Sequence, residues 1–268
     1  MTLIRQWWRI VSYAALTGFR GFAGIYTWRS WTFGLLGRMI TQVAFFASIG
    51  RLLGSTQQVK YLLVGNAVMV TANGALTAIQ TTSRERNTGT LVLLVASPSS
   101  PVLAIMGGTS WYIANGLLTS VGSLLIVAPM FGVAIPWDRL PELLALLVLV
   151  TVSMYMAGTF VGGVVMRFRS IQRSTFNVAR LTVMALCGVS IPRSFYPDAI
   201  RYLGGLLPLT HGLDAIREVF GDGRASYVLG HAALEAAVGV GWLVLALTTF
   251  SRMADAGRRD GSIAFSGG

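Results

Sequence analysis

The residues of this chain best suited to chemistry are charges rather than nucleophiles. Arg84, Glu85 and Arg86 stand side by side in Ser83-Arg84-Glu85-Arg86-Asn87-Thr88-Gly89-Thr90-Leu91, which continues through Leu93-Leu94-Val95-Ala96-Ser97-Pro98-Ser99-Ser100-Pro101. Long apolar runs flank this island on both sides. Three adjacent charges do not lie in hydrocarbon, where each costs at least about 2.5 kcal/mol. The island therefore belongs in water at one membrane face, and Pro98 and Pro101 end any helix through it. Its chemistry is ion pairing, and it reads as a handle for another protein.

Catalytic patterns are missing. A phosphate-binding loop needs G-x-x-x-x-G-K-[ST], but the single lysine, Lys60, follows Gln57-Gln58-Val59. The chain is therefore expected to lack an ATPase site. His211 and His231 are 20 residues apart, with no cysteine or carboxylate at metal-ligand spacing. His211 reads as capping or orienting a helix. No metal, cofactor or catalytic constellation is expected. Gly107-Gly108-Thr109-Ser110 reads as a close-packing site of small residues. Cys187 is the only cysteine, so no internal disulfide forms. Arg38 and Arg180 fall within apolar segments and read as snorkelling to the interface, a substrate contact being the alternative for Arg38. Glu235 is the one carboxylate placed to serve a proton relay.

The elements that position these residues follow from composition. The 268 residues are 54% hydrophobic and 12% charged, with mean hydropathy +0.65. Soluble domains carry about 25% charged residues, so this is an all-α integral membrane protein. The net charge of +11 is spread over membrane-flanking segments, and no basic tract interleaved with aromatics points to nucleic acid. No cleavable signal peptide is expected, because Arg5, Arg9, Arg20 and Arg29 interrupt the first 30 residues. Residues 3–26 repeat apolar positions every 3.6 residues, with Trp7 and Trp8 on the apolar face and Arg5 and Arg9 on another. This 1–30 segment is expected to lie on the membrane as an interfacial anchor touching lipid. Six spans are expected, at about 32–53, 61–81, 103–126, 143–166, 175–192 and 232–250. Arg180 and several polar neighbours dilute the fifth.

Arginine bias sets the expected orientation. With both termini in the cytoplasm, basic residues there far outnumber Glu85, Asp255 and Asp260, while on the opposite side the two signs balance. The island at 83–101 is then cytoplasmic. The stretch 192–231 on the outer side is too apolar for a plain connector. Pro192, Pro197 and Pro208 divide it, leaving short helices at Ala199–Leu207 and Leu209–Phe220. These are expected to re-enter the bilayer, with Thr210 and His211 at the start of the second, and either to line a pathway or to cap the bundle.

Taken in order, these features resemble the permease subunits of type-2 ABC exporters. Glu85-Arg86-Asn87-Thr88-Gly89-Thr90-Leu91 followed by Ser97-Pro98 resembles the family's coupling-helix segment, with Val92 where the family often has Glu. Gly188-Val189-Ser190-Ile191-Pro192, Phe195-Tyr196-Pro197 and Pro208-Leu209-Thr210-His211 resemble its segment between the fifth and sixth spans. The resemblance covers essentially the whole chain, 1–268, as one transmembrane domain, and is closest to the drug- and antibiotic-exporting branch. It implies a bacterial plasma-membrane export permease, working as a dimer with the same or a different second permease and with two copies of a cytoplasmic ABC ATPase. ATP and Mg bind that partner, and this chain has no cofactor. Arg84, Glu85, Arg86, Gly89, Thr90, Leu91 and Pro98 would couple to the ATPase. The substrate implied is hydrophobic or amphipathic and drug-like, a polysaccharide or lipid-linked glycan being the alternative. An ion-driven carrier or channel is the reading of another class, and a membrane-embedded enzyme is disfavoured by the missing catalytic groups.

Overall fold

The computed structural model describes residues 2–87, 106–165, 172–221 and 223–260. Among these, all regular structure is helical. The helices are α1 (Thr2–Ile25), a π-helical turn (Ser30–Leu36) leading into α2 (Gly37–Leu52), α3 (Thr56–Asn87), α4 (Trp111–Met130), α5 (Leu140–Val165), α6 (Gln172–Leu186), α7 (Asp198–Gly205), α8 (Thr210–Phe220) and α9 (Ala225–Asp260). Among the described residues, five segments are long and apolar enough to cross a membrane: Ser30–Leu52, Thr56–Gln80, Met106–Met130, Trp137–Val165 and Ala225–Arg252. Glycines with left-handed backbone close two of the turns between them, Gly54 at φ +73° and Gly132 at φ +69°.

The expected fifth span is a different object. Its helix, α6, ends at Leu186 rather than running to 192. Fifteen residues reach about 22 Å, short of a hydrocarbon core of about 30 Å. Gly188 stops it with φ +76°. The chain then packs Val189 O so close to Gly65 that a β-carbon there would lie 2.2 Å away. Gly65 lies about 14 Å along α3, so α6 stops well inside the bundle. The remaining depth is filled by α7 and α8.

The core is organised on α3. The Ser120 hydroxyl of α4 donates to Ala67 O at 2.7 Å, and Thr71 of α3 bonds Thr151 of α5. A β-carbon on Gly74 would lie 2.6 Å from Gly116 Cα, so α3 and α4 touch backbone to backbone. Helices in lipid gain little from burying apolar surface, because lipid tails are equally apolar. Small residues and interhelical hydrogen bonds supply the contact instead. The α3–α4 pairs run antiparallel, and Gly158 of α5 against Ala75 O, with Thr151 against Thr71, runs α5 parallel to α3. On α9, Gly239 packs on Ser153 and Phe250 on Gly163, which sets α9 parallel to α5. The turns before α3, before α5 and before α9 therefore gather at one end of the bundle, and the C-terminal end of α3 lies at the other.

Candidate functional site

Two places deserve the term site, one at each end of α3. At its C-terminal end, Arg84, Glu85 and Arg86 occupy the last turns of the helix that starts at Thr56. The rest of the island, with Gly89, Thr90, Leu91 and Pro98, lies outside the described residues. The backbone of Arg5, Trp7, Trp8 and Arg9 is helical in α1, and Arg9 is exposed. Farther along α1, Phe19 and Phe22 pack on Trp111 of α4, with ring centroids 4.6 and 5.7 Å apart. Gly18 lies against Gly108 O, at 2.0 Å from a would-be β-carbon, and Thr109 bonds Tyr155. The Gly107–Ser110 stretch is thus a meeting point of α1, α4 and α5.

At the other end sits the α7–α8 hairpin. The proline breaks are visible: Pro192 precedes a 3-10 turn at Arg193–Phe195, Pro197 precedes α7 and Pro208 lies in the α7–α8 junction. The sequence boundaries shift slightly, from Ala199–Leu207 and Leu209–Phe220 to Asp198–Gly205 and Thr210–Phe220. Thr210 is fully buried and its hydroxyl donates to Gly204 O at 2.6 Å. His211 Nε2 lies 3.0 Å from Gly205 O, so both residues tie the start of α8 to the end of α7. His231, distant in sequence, comes to 5.8 Å from the His211 ring. Helix α9 returns along the hairpin, which sequence spacing alone does not reveal. Among the described residues no three His, Cys, Asp or Glu side chains form a metal-binding group.

The unexpected feature is how α8 is held. The first N–H groups of a helix lack partners within it. Here they point at Glu235 of α9: Leu209 N donates to Oε1 at 2.8 Å and Gly212 N to Oε2 at 3.0 Å. Glu235 is completely buried, with its carboxyl oxygens against the amino end of α8, where the helix dipole is positive. To aim its N–H, Leu209 takes φ +83°, a left-handed conformation costing a non-glycine residue about 1–2 kcal/mol. Gly212 permits the approach, since a β-carbon there would meet Val150 Cγ2 at 2.1 Å. At the opposite end of α8, the Lys60 ammonium donates to Phe220 O. An acid caps the N-terminus and a base the C-terminus, each from a different crossing helix.

Arginines complete the hairpin's attachment. The Arg217 guanidinium lies 3.4 Å from the Tyr61 ring centroid and donates from Nη2 to Val189 O at 3.1 Å. The Tyr61 hydroxyl donates to Gly188 O at 2.6 Å. Arg193 pairs with Asp214 at 3.0 Å, and Arg139 donates to Gly223 O at 3.3 Å. Arg180 reaches Gln42 Oε1 of α2 at 3.3 Å, and Arg38 is exposed. The arrangement binds helix ends and turns to one another and brings no nucleophile beside a base.

The described residues thus form an all-helical bundle with five helices apolar enough to cross a membrane and a broken hairpin before the last helix. No curated protein matches the chain closely enough to name a relative. The family model described as ABC-2 type transporter matches residues 23–220. It thereby takes in α2 through α8, including the hairpin, and stops before α9. The chain therefore belongs to the ABC-2 type transporter family, as a membrane permease component whose family works with an ABC ATPase.

Proposed function

We propose that the chain is the permease of an ATP-driven exporter that moves a hydrophobic or amphipathic, drug- or antibiotic-like compound out of the cytoplasm or the inner leaflet. The observation that carries this reading is the length of α3. From Thr56 to Asn87 it is one helix of about 48 Å, well beyond a hydrocarbon core of about 30 Å. Past Ile79 its sequence turns polar and then charged, Gln80-Thr81-Thr82-Ser83-Arg84-Glu85-Arg86, so in this reading Arg84, Glu85 and Arg86 ride on a helical extension outside the membrane. A force applied to that extension reaches the centre of the bundle without passing through a flexible joint. The coupling segment would run from there through Gly89, Thr90, Leu91 and Pro98 into a groove of the ATPase. Closure of two ATPase copies would then tilt two permeases between inward- and outward-facing states.

In this reading α6 and the hairpin together make a sixth, broken crossing. Both termini lie in the cytoplasm of a bacterium, α1 rests on the inner interface, and a second permease, the same or different, completes the path. The test is a pull-down of the full chain in mild detergent, with mass spectrometry and an ATPase assay. A soluble ATPase with a phosphate-binding loop should co-purify, and Glu85→Ala with Arg86→Ala should release or uncouple it. A chain that purifies alone and transports in proteoliposomes under an ion gradient would refute the reading.

A further inference from the structure

We propose that Glu235 and Lys60 are positioning residues that fasten α8 to α9 and α3, so that the hairpin travels with the bundle core whenever the chain changes state. The change of state rests on the permease reading above, whereas the fastening rests on geometry alone. Both carboxylate oxygens of Glu235 are occupied by amides of the first turn of α8, at 2.8 and 3.0 Å. Lys60 donates to the last carbonyl of the same helix. Between them Arg217, also on α8, lies over Tyr61 of α3 and bonds Val189 O.

Sliding α8 by one turn would break these contacts together. Glu235, which is fully buried, would lose both of its amide partners. A buried polar group left without partners costs its full desolvation, more than the net worth of the bonds that held it. The Leu209 backbone points the same way: φ +83° persists only where the surroundings over-determine it. Helices α3, α8 and α9 therefore move as one body, and any opening at this end occurs outside that body. Glu235 acts through the backbone amides of α8.

The experiment is hydrogen–deuterium exchange on the full chain in detergent, alone and in complex with its co-purified ATPase trapped by ATP and vanadate. In the wild type, the amides from Leu209 to Leu213 should stay slow in both preparations. Glu235→Ala should speed them by about a hundredfold, the loss of two buried hydrogen bonds. Glu235→Gln, which keeps its shape and one carbonyl acceptor, should speed them by about tenfold and carries the test if the alanine variant does not fold. Lys60→Met should speed exchange in the last turn of α8, and Lys60→Arg should restore protection. Fast exchange of the wild-type first turn upon trapping, or unchanged exchange in Glu235→Gln, would overturn the proposal. Failure of any ATPase to co-purify would count against the permease reading instead, and the variants of the chain alone would still decide the fastening.

Discussion

Helices α3 and α9 have nearly the same mean hydropathy over their crossing stretches, 1.6 and 1.7, yet 89% of the first is buried within the chain and 22% of the second. Apolar character decides that both enter the membrane and says nothing about which is central. The difference lies in side-chain size and hydrogen bonding. Helix α3 carries Gly65 and Gly74 at backbone contacts, and Thr71 and Ala67 O at bonds to α5 and α4. Helix α9 confines its packing to one stripe, Glu235, Gly239, Ala246 and Phe250, while Val240, Val244 and Leu245 face outward. That stripe follows the 3.6-residue period, and its outward side is free for lipid or another chain.

Substituting glycines is the harshest way to break the comparison. Gly74→Leu should cost about 3 kcal/mol or more, because its β-carbon would overlap Gly116. Loss of the monodisperse peak in fluorescence-detected size exclusion would show it. Gly241→Leu on α9, where nothing lies within 4 Å, should change stability by about 0.5 kcal/mol or less. Equal effects at the two positions would abolish the distinction between central and peripheral helices.

Smaller changes sharpen it. Replacing both Thr71 and Thr151 with valine should cost about 0.6–1.7 kcal/mol, the range for hydrogen bonds between helices in lipid. Thermal denaturation in detergent would measure this as a lowered Tm. Trp31→Phe removes the 2.8 Å bond from Trp31 Nε1 to Asn115 Oδ1, which ties the start of the first crossing to α4. It should cost about 1 kcal/mol by the same measurement. Least of all, Leu245→Ala on the outward side of α9 should shift Tm by no more than the equivalent of about 0.5 kcal/mol in the purified single chain.

Much of this was legible in the sequence. Apolar runs of about 20 residues identify crossing helices because a bilayer leaves backbone groups no partner but the helix itself. Prolines at 192, 197 and 208 mark the hairpin breaks because each lacks an amide hydrogen. Length misled at 175–192, because hydropathy does not register the left-handed turn at Gly188 or the contact at Gly65 that end α6 early.

The sequence by itself thus determined that the chain is a helical membrane protein and roughly where five of its apolar crossings lie. Those properties depend on local composition, which a window of 20 residues contains. The tertiary structure alone decided that α3 is the core, that His211 meets His231, and that Glu235 and Lys60 close on the two ends of α8. Lys60 and Phe220 are 160 residues apart, and Glu235 lies 26 from Leu209 on another helix. No local pattern encodes such pairs, because they depend on how rigid helices stack once the chain has crossed the membrane several times.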